Sequence, residues 1–332
     1  MRQPDRADID LINLHPEVSS FRDEVLQGLQ KPQKELPAKL FYDRVGSQLF
    51  EEITTLPEYY LTRTEIGILD SNADEIVRRM GSDFVLIEYG SGSSRKVRIL
   101  LDQLTTSATY MAIDISLLYL KESAERLNDA YPDITVVAVC ADYTKPFEIP
   151  ECDSYQKRVI FFPGSTVGNF EPYLARKFFR DTASILRPGD GMLIGVDLKK
   201  DPEILHAAYN DAAGVTARFN LNILEHINRE LDADFDLDRF EHVAFYNSVD
   251  GRIEMHLRST TSQVVHIGGE EIAFRAGETI HSENSYKYSI EDFRALIADT
   301  GFAHETVWTD EQNLFSVHYL SVSRSTPTLL GK

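Results

Sequence analysis

Carboxylates close three successive apolar runs in this 332-residue chain. Glu88 ends Phe84-Val85-Leu86-Ile87, Asp114 ends Tyr110-Met111-Ala112-Ile113, and Asp142 follows the run from Ile134 to Ala141. Glu88 leads into Tyr89-Gly90-Ser91-Gly92, after which Arg95-Lys96-Val97 opens a helical pattern. A strand that turns through glycines onto a helix N-terminus presents bare backbone N–H groups to a ligand. Carboxylates beside that turn add acceptors for hydroxyl and amine groups. The combination predicts a nucleoside site. In it Gly90, Ser91 and Gly92 allow close backbone approach, Asp114 takes the ribose hydroxyls, Asp142 accepts from the adenine amine, and Tyr143 covers the ring. Glu88 fits a counter-charge or a support for the turn. Lys96 either pairs with a ligand carboxylate or lies in solvent.

The position that would complete Gly-x-Gly-x-x-Gly is Arg95. The pyrophosphate cradle is therefore incomplete, which opposes a nicotinamide or flavin dinucleotide and favours a nucleoside cofactor without phosphate, such as S-adenosylmethionine. A second candidate segment, Phe161-Phe162-Pro163-Gly164-Ser165-Thr166-Val167-Gly168-Asn169, follows the fourth apolar run. Asn169 carries both donors and acceptors and suits an amine and a carboxylate together, while Gly164 lets a ligand reach the main chain. The competing reading makes this a tight turn in which Asn169 caps the next helix.

The elements that must hold these residues alternate. Helical spacing marks 17–30, 43–54, 64–80, 95–105, 116–130 and 172–186; strand patterns mark 84–89, 110–114, 134–139, 158–162 and 191–198. This predicts a doubly wound, mainly parallel α/β sheet. Beyond Asp197 the rhythm changes to a largely helical 201–231 and an antiparallel layer of strands at 241–247, 252–259, 263–267, 271–274 and 279–287. Helix 290–300 and a hairpin of 303–308 with 314–323 then return to the first sheet. The expected division is a Rossmann-like core of 61–199 plus 287–332 and a discontinuous α+β substrate-binding domain of 8–60 plus 200–286.

A formal charge of −19, from 53 acidic and 34 basic residues, disfavours a nucleic-acid partner. Two cysteines, Cys140 and Cys152, make neither a disulfide framework nor a metal-ligand spacing. No run approaches the ~18 apolar residues of a membrane span, and residues 1–10 resemble no targeting segment. The expectation is a cytoplasmic monomer with no metal and no membrane partner.

Ordered motifs across nearly the whole chain resemble the ergothioneine-pathway L-histidine N-alpha-methyltransferase family: Lys39-Leu40-Phe41-Tyr42-Asp43-Arg44-Val45-Gly46-Ser47, Leu56-Pro57-Glu58-Tyr59-Tyr60-Leu61-Thr62-Arg63-Thr64-Glu65, Gly164 to Asn169, Tyr209 to Thr216, Asn228-Arg229-Glu230-Leu231 and Arg252-Ile253-Glu254-Met255. The resemblance implies S-adenosylmethionine-dependent methylation of the α-amine of L-histidine, repeated to the trimethyl betaine, with S-adenosylhomocysteine as by-product. It implies that Tyr59, Asn169 and Tyr209 hold the amino and carboxylate groups, that Tyr42 lines the same pocket, that Glu283 and Ser285 grip the imidazole, and that Met255 packs beside the ring. Gly90, Lys96, Asp114 and Asp142 match cofactor contacts. Leu61, Asn210, Asn284 and Tyr286 depart from the family pattern.

Glu283 and Ser285 are two apart in an expected strand and so share a face. A carboxylate can take the N–H of neutral imidazole while a hydroxyl donates to its bare nitrogen. No histidine is placed as a base, which leaves water or tyrosine hydroxyls to carry the proton. The alternatives are an N-methyltransferase for another small amine such as a tryptophan derivative, a nicotinamide-dependent oxidoreductase, and a silent binding module.

Overall fold

The computed structural model describes residues 9–14, 21–92, 94–104, 108–145, 147–150 and 157–323. Cys152 and the start of the helix expected over 17–30 lie outside them.

Eight strands form the central sheet in the spatial order Asp10–Asn13, Ile134–Cys140, Ala108–Asp114, Phe84–Tyr89, Lys157–Phe162, Gly191–Asp197, Phe315–Val322 and Phe302–Thr309. Neighbours are parallel from Asp10–Asn13 to Gly191–Asp197; Phe315–Val322 runs against both of its neighbours. The chain lays down Phe84–Tyr89, steps outward twice, and returns to the other side of it with Lys157–Phe162. Ligands of open α/β sheets bind at the carboxyl ends of the strands beside such a reversal.

Alternate residues of each strand feed two cores. Leu86, Tyr110, Ala112 and Phe161 join the core that includes Ile68 and Leu69 of helix Tyr60–Met80. Ile87, Met111, Ile113 and Ile160 join the core on the other face, with Phe178 and Phe179 of helix Pro172–Ile185 and Phe293 of helix Ile290–Ile297. A parallel sheet covered on both faces requires such apolar runs.

A second sheet has the order Lys34–Glu35, Thr279–Tyr286, Arg252–Ser259, Phe240–Asn247. The last three are antiparallel, and helix Val215–Leu231 packs on them. The register of Thr279–Tyr286 slips between His281 and Glu283. Such a bulge re-aims the side chains that follow it.

The structure corrects the sequence reading in three places and refines it in a fourth. Residues 10–13, assigned with 8–60 to the second unit, extend the central sheet instead, because the open edge of Ile134–Cys140 takes a parallel partner; four residues are too few for a period to reveal it. The stretch 201–231 is largely helical as expected, and the structure divides it into Pro202–Tyr209 and Val215–Leu231. The break has a chemical cause: Asp211 accepts the Val215 and Thr216 N–H groups, both at 2.8 Å, and starts a new helix. Among the described residues, strands 263–267 and 271–274 pair only with each other, and Lys34–Glu35 adds a parallel pair to a layer expected to be antiparallel. Among the described residues no helix is long and apolar enough to cross a membrane.

Candidate active site

The carboxyl ends of the parallel strands are brought level. The Gly90 N–H donates to the Ile113 carbonyl at 2.9 Å and the Ala141 N–H to the Asp114 carbonyl at 3.1 Å, which sets the glycine turn, Asp114 and Asp142 side by side. Gly90 has φ +73°, a region that favours glycine. Its missing side chain leaves the Tyr143 hydroxyl 3.7 Å from where a Cβ would stand. Tyr143 stacks one face on Tyr89, with ring centroids 5.3 Å apart. Asp114 and Asp142 also shape their own turns, accepting from Ser116 N–H at 2.9 Å and Thr144 N–H at 3.0 Å. Burial raises the Asp114 carboxyl above its ordinary range. The Ser91 Oγ is buried with no partner among the described residues. A buried hydroxyl in that state calls for a ligand group, and with the glycine cradle it fits a nucleoside cofactor.

Glu88 behaves differently from a free counter-charge. It is buried, takes the Tyr110 hydroxyl at 2.5 Å, and burial pushes its carboxyl up to about 8, with Tyr110 and Lys96 pulling the other way. At neutral pH it is a protonated acid until a cation comes beside it. Lys96 is not in free solvent. Its ammonium lies 2.6 Å from the buried Glu65, whose two oxygens also accept the Gly164 N–H at 3.0 and 2.9 Å. Glu65 reaches this point because Gly195 has no side chain: a Cβ there would stand 2.1 Å from Glu65 Oε1. Glu65 thus ties the helix after the glycine turn to the segment carrying Gly164. The sequence places Glu65 at the end of the Leu56 to Glu65 motif but assigns it no role.

Asn169 does not cap helix Pro172–Ile185. That helix starts from Glu171 with no side-chain cap. Asn169 ends the short turn Thr166–Asn169 and makes no side-chain hydrogen bond among the described residues. Gly168 presses this turn onto the second sheet, where a Cβ would fall 2.8 Å from the Tyr286 carbonyl. The last residues of Thr279–Tyr286 therefore lie directly against the Asn169 turn.

On the pocket face of that strand stand Glu283, Ser285 and, one step on, Lys287. Met255 is directly opposite Glu283 in the pairing, so their side chains share the face. Ser285 Oγ is 2.8 Å from the Tyr209 hydroxyl. Tyr59 meets Tyr209 edge to face at 6.5 Å. Tyr42 and Tyr59 both pack on Phe50, and Tyr42 also meets Phe219. Tyr42 keeps 45% of its surface accessible. Its hydroxyl and those of Tyr59 and Tyr209 are pushed up, first by burial and then by neighbours that include Glu283. Glu283 is half-buried, has no side-chain hydrogen bond among the described residues, and is raised by burial to about 7, with Lys287 pulling downward.

Local chemistry explains why the motif residues sit so. Asp43 caps helix Arg44–Ile53 through the Gly46 N–H at 2.6 Å and takes Asn222 and Arg229 of helix Val215–Leu231 at 2.9 and 2.7 Å, anchoring Tyr42. Tyr209 ends its helix, and its carbonyl meets His242 Nε2 at 2.9 Å.

Beneath the pocket lies a buried ionic network that sequence reading missed. Lys287, with no exposed side-chain surface, reaches Asp197 at 2.8 Å, Ser285 at 2.7 Å and Tyr209 at 3.1 Å. Asp197 also takes the Tyr60 hydroxyl at 2.8 Å and Lys200 at 2.6 Å. Burial would raise Asp197, but the two ammonium groups outweigh it and hold the carboxyl low. The signal was available: Asp197 ends a strand as Asp114 does, and Lys287 lies two residues beyond Ser285.

Asn284 and Tyr286, which depart from the family pattern, point to the other face. Both donate to Glu171, at 3.0 and 2.7 Å, and Arg252 joins them. Leu61 is buried in the core, and Asn210 binds the carbonyls of His206 and Ala244. Among the described residues, the side chains of Asn210, Asn284 and Tyr286 make their hydrogen bonds away from the pocket groups. Glu254, His256 and His281 also cluster, with candidate ligand atoms within 4.8 Å of one another. The two imidazoles stack nearly parallel, 4.6 Å apart, so their in-plane lone pairs run alongside each other and do not converge.

From Phe84 onward the sheet order is third, second, first, fourth, fifth, seventh, sixth, with only the seventh strand reversed. With the glycine turn and the strand-end carboxylates, that order defines a Rossmann-like, S-adenosylmethionine-dependent methyltransferase. A family model described as "Histidine-specific methyltransferase, SAM-dependent" matches residues 21–322, and the chain belongs to that family. It is 43% identical to the histidine N-alpha-methyltransferase of Mycolicibacterium smegmatis, covering 90% of this chain and 94% of that one. It is 41% identical to the histidine N-alpha-methyltransferase of Mycobacterium tuberculosis, with the same coverage of each. Ergothioneine biosynthesis protein 1 of Neurospora crassa is 33% identical over 96% of this chain and 36% of its own length.

Proposed function

We propose that this enzyme methylates the α-amino group of L-histidine three times, giving the trimethyl betaine as the first step of ergothioneine synthesis. One observation carries the substrate assignment: Glu283, Ser285 and, on the neighbouring strand, Met255 share one face of the second sheet, beside Tyr209 and against the Asn169 turn. A ring N–H meets the Glu283 carboxylate, its bare nitrogen meets the Ser285 hydroxyl, and Met255 lies against the ring. Asn169, Tyr59 and Tyr209 take the amino and carboxylate groups, with Tyr42 closing the side toward the nucleoside. The carboxyl ends of the strands, with Gly90, Ser91, Gly92, Asp114, Asp142 and Tyr143, hold S-adenosylmethionine and release S-adenosylhomocysteine. Lys96 and Glu88 act at the same end.

Bound S-adenosylmethionine supplies an electrophilic methyl group on a sulfonium. The chain's own work is to hold a neutral amine in line with it, and positioning of this kind is worth up to ~7–11 kcal/mol. Tyr42, Tyr59 and Tyr209 remain protonated, since burial raises all three, so they orient the amine as hydroxyls and the amine proton leaves to water. Their ring faces tolerate the growing cationic charge. No metal has a part in this chemistry.

The second sheet and its helices form the substrate-binding unit, 8–60 plus 200–286 with residues 10–13 excepted, and close over the core of 61–199 plus 287–332. We place the enzyme in the cytoplasm as a monomer acting on the free amino acid. The test is incubation with histidine and S-adenosylmethionine followed by mass spectrometry. One, two and three methyl increments on histidine are expected; increments on tryptophan with none on histidine would overturn the assignment.

A further inference from the structure

Lys287 is an unusual neighbour for a binding hydroxyl. Its ammonium has three N–H groups and no lone pair, and all three are spent on Asp197, Ser285 Oγ and the Tyr209 hydroxyl, at 2.8, 2.7 and 3.1 Å. Both hydroxyl oxygens are therefore forced to accept from it. The hydroxyls also bond each other at 2.8 Å, the Tyr209 O–H donating to Ser285 Oγ. That direction suits the chemistry, a phenol being the stronger donor and an alcohol the better acceptor. The count then closes. Ser285 Oγ has both lone pairs engaged and keeps one O–H, and Tyr209 has given its proton and keeps one lone pair.

We propose that Lys287 is the positioning residue that commits Ser285 to donating and Tyr209 to accepting, so the pocket takes a ring with a bare nitrogen opposite Ser285 and an amine N–H opposite Tyr209. This rests on the histidine reading above. Without the ammonium, Ser285 regains a lone pair and can face a ring C–H or N–H without leaving a proton stranded. The lysine thereby makes a hydroxyl, which reads donors and acceptors alike, into a selector for neutral imidazole in one tautomer. Asp197 keeps Lys200 and Tyr60 when Lys287 is replaced, so its carboxylate is not left alone.

The experiment uses the full chain loaded with S-adenosylhomocysteine and measures, by calorimetry, the affinity for histidine and for the two pyrrolylalanine isomers. Each isomer keeps one ring N–H and has C–H in place of the other nitrogen. In the wild type the better isomer is expected to bind about tenfold or more weakly than histidine, the worth of one hydrogen bond. In Lys287→Met the ratio is expected to fall to about threefold or less, with S-adenosylhomocysteine affinity unchanged. A lysine serving only as structural support would weaken both ligands together and leave the ratio alone. An unchanged ratio in Lys287→Met overturns the proposal while leaving the histidine reading intact. A wild type that binds no histidine overturns both. Should Lys287→Met not fold, Lys287→Gln carries the same expectation, because its amide oxygen can accept from Ser285. A wild type that takes the pyrrole ring as well as histidine refutes the proposal without any variant.

Discussion

Glu283 is expected to cost the empty enzyme stability for the sake of its ligand, and Glu283→Gln exposes that cost. Burial raises the carboxyl from 4.5 to about 7, against the pull of Lys287. A raised folded-state value means that the folded chain binds more protons than the unfolded chain between these limits, so stability falls as pH rises through them. With about 1.4 kcal/mol per unit, ionising Glu283 costs the fold about 3 kcal/mol at pH 8, about 1.5 at pH 5.5, and under about 0.5 at pH 4.5. Glutamine keeps the shape and does not ionise. For 332 residues, at about 2.1 cal/mol/K per residue, 3 kcal/mol corresponds to roughly 4 °C. Thermal unfolding of the ligand-free proteins at a series of pH values tests this. The variant should melt roughly 4 °C above wild type at pH 8, with the gap closing by pH 4.5, while histidine binding is weakened because the amide oxygen accepts the ring N–H without the charge. A gap that is absent at pH 8, or that does not change with pH, would refute burial as the origin of the raised value.

Other expected outcomes follow from the same geometry. Gly168→Ala should drive the Asn169 turn off the second sheet, since its Cβ would meet the Tyr286 carbonyl at 2.8 Å; kcat/KM for histidine should fall at least about tenfold, with S-adenosylhomocysteine affinity, measured by calorimetry, nearly kept. Glu65→Ala would strip Lys96 of its partner and leave the Gly164 N–H unpaired; denaturant unfolding should show a loss of about 3–5 kcal/mol. Glu88 is protonated below about 8 in the free enzyme, chiefly because it is buried. A cation beside it releases that proton, so affinity for the positively charged S-adenosylmethionine should rise between pH 6.5 and 8 relative to that for neutral-sulfur S-adenosylhomocysteine. Parallel titrations with equal pH slopes would count against it.

Much of the frame was legible because the physics that builds it is local. Strand 84–89 was readable to the residue, since both faces of a parallel sheet must be apolar and the run ends at a glycine turn. Asp114 and Asp142 were assigned from their places after such runs, and the same sheet brings them level. The strand of Glu283 and Ser285 was found, and its period of two put both side chains on one face. What failed was what local pattern does not carry: the edge strand Asp10–Asn13, defined only by a distant partner, and the hairpin that left its sheet.

Residue order alone determined the elements, the glycine turn and the row of carboxylates, because each depends on spacing along a strand or helix. Only the folded chain decided what the ionisable groups mean. Glu88 and Glu283 are raised because distant segments bury them, Lys96 is spoken for by Glu65, and Lys287 dictates which way Ser285 donates. Desolvation and hydrogen-bond polarity are set by neighbours brought together across the whole chain, and no spacing rule contains them.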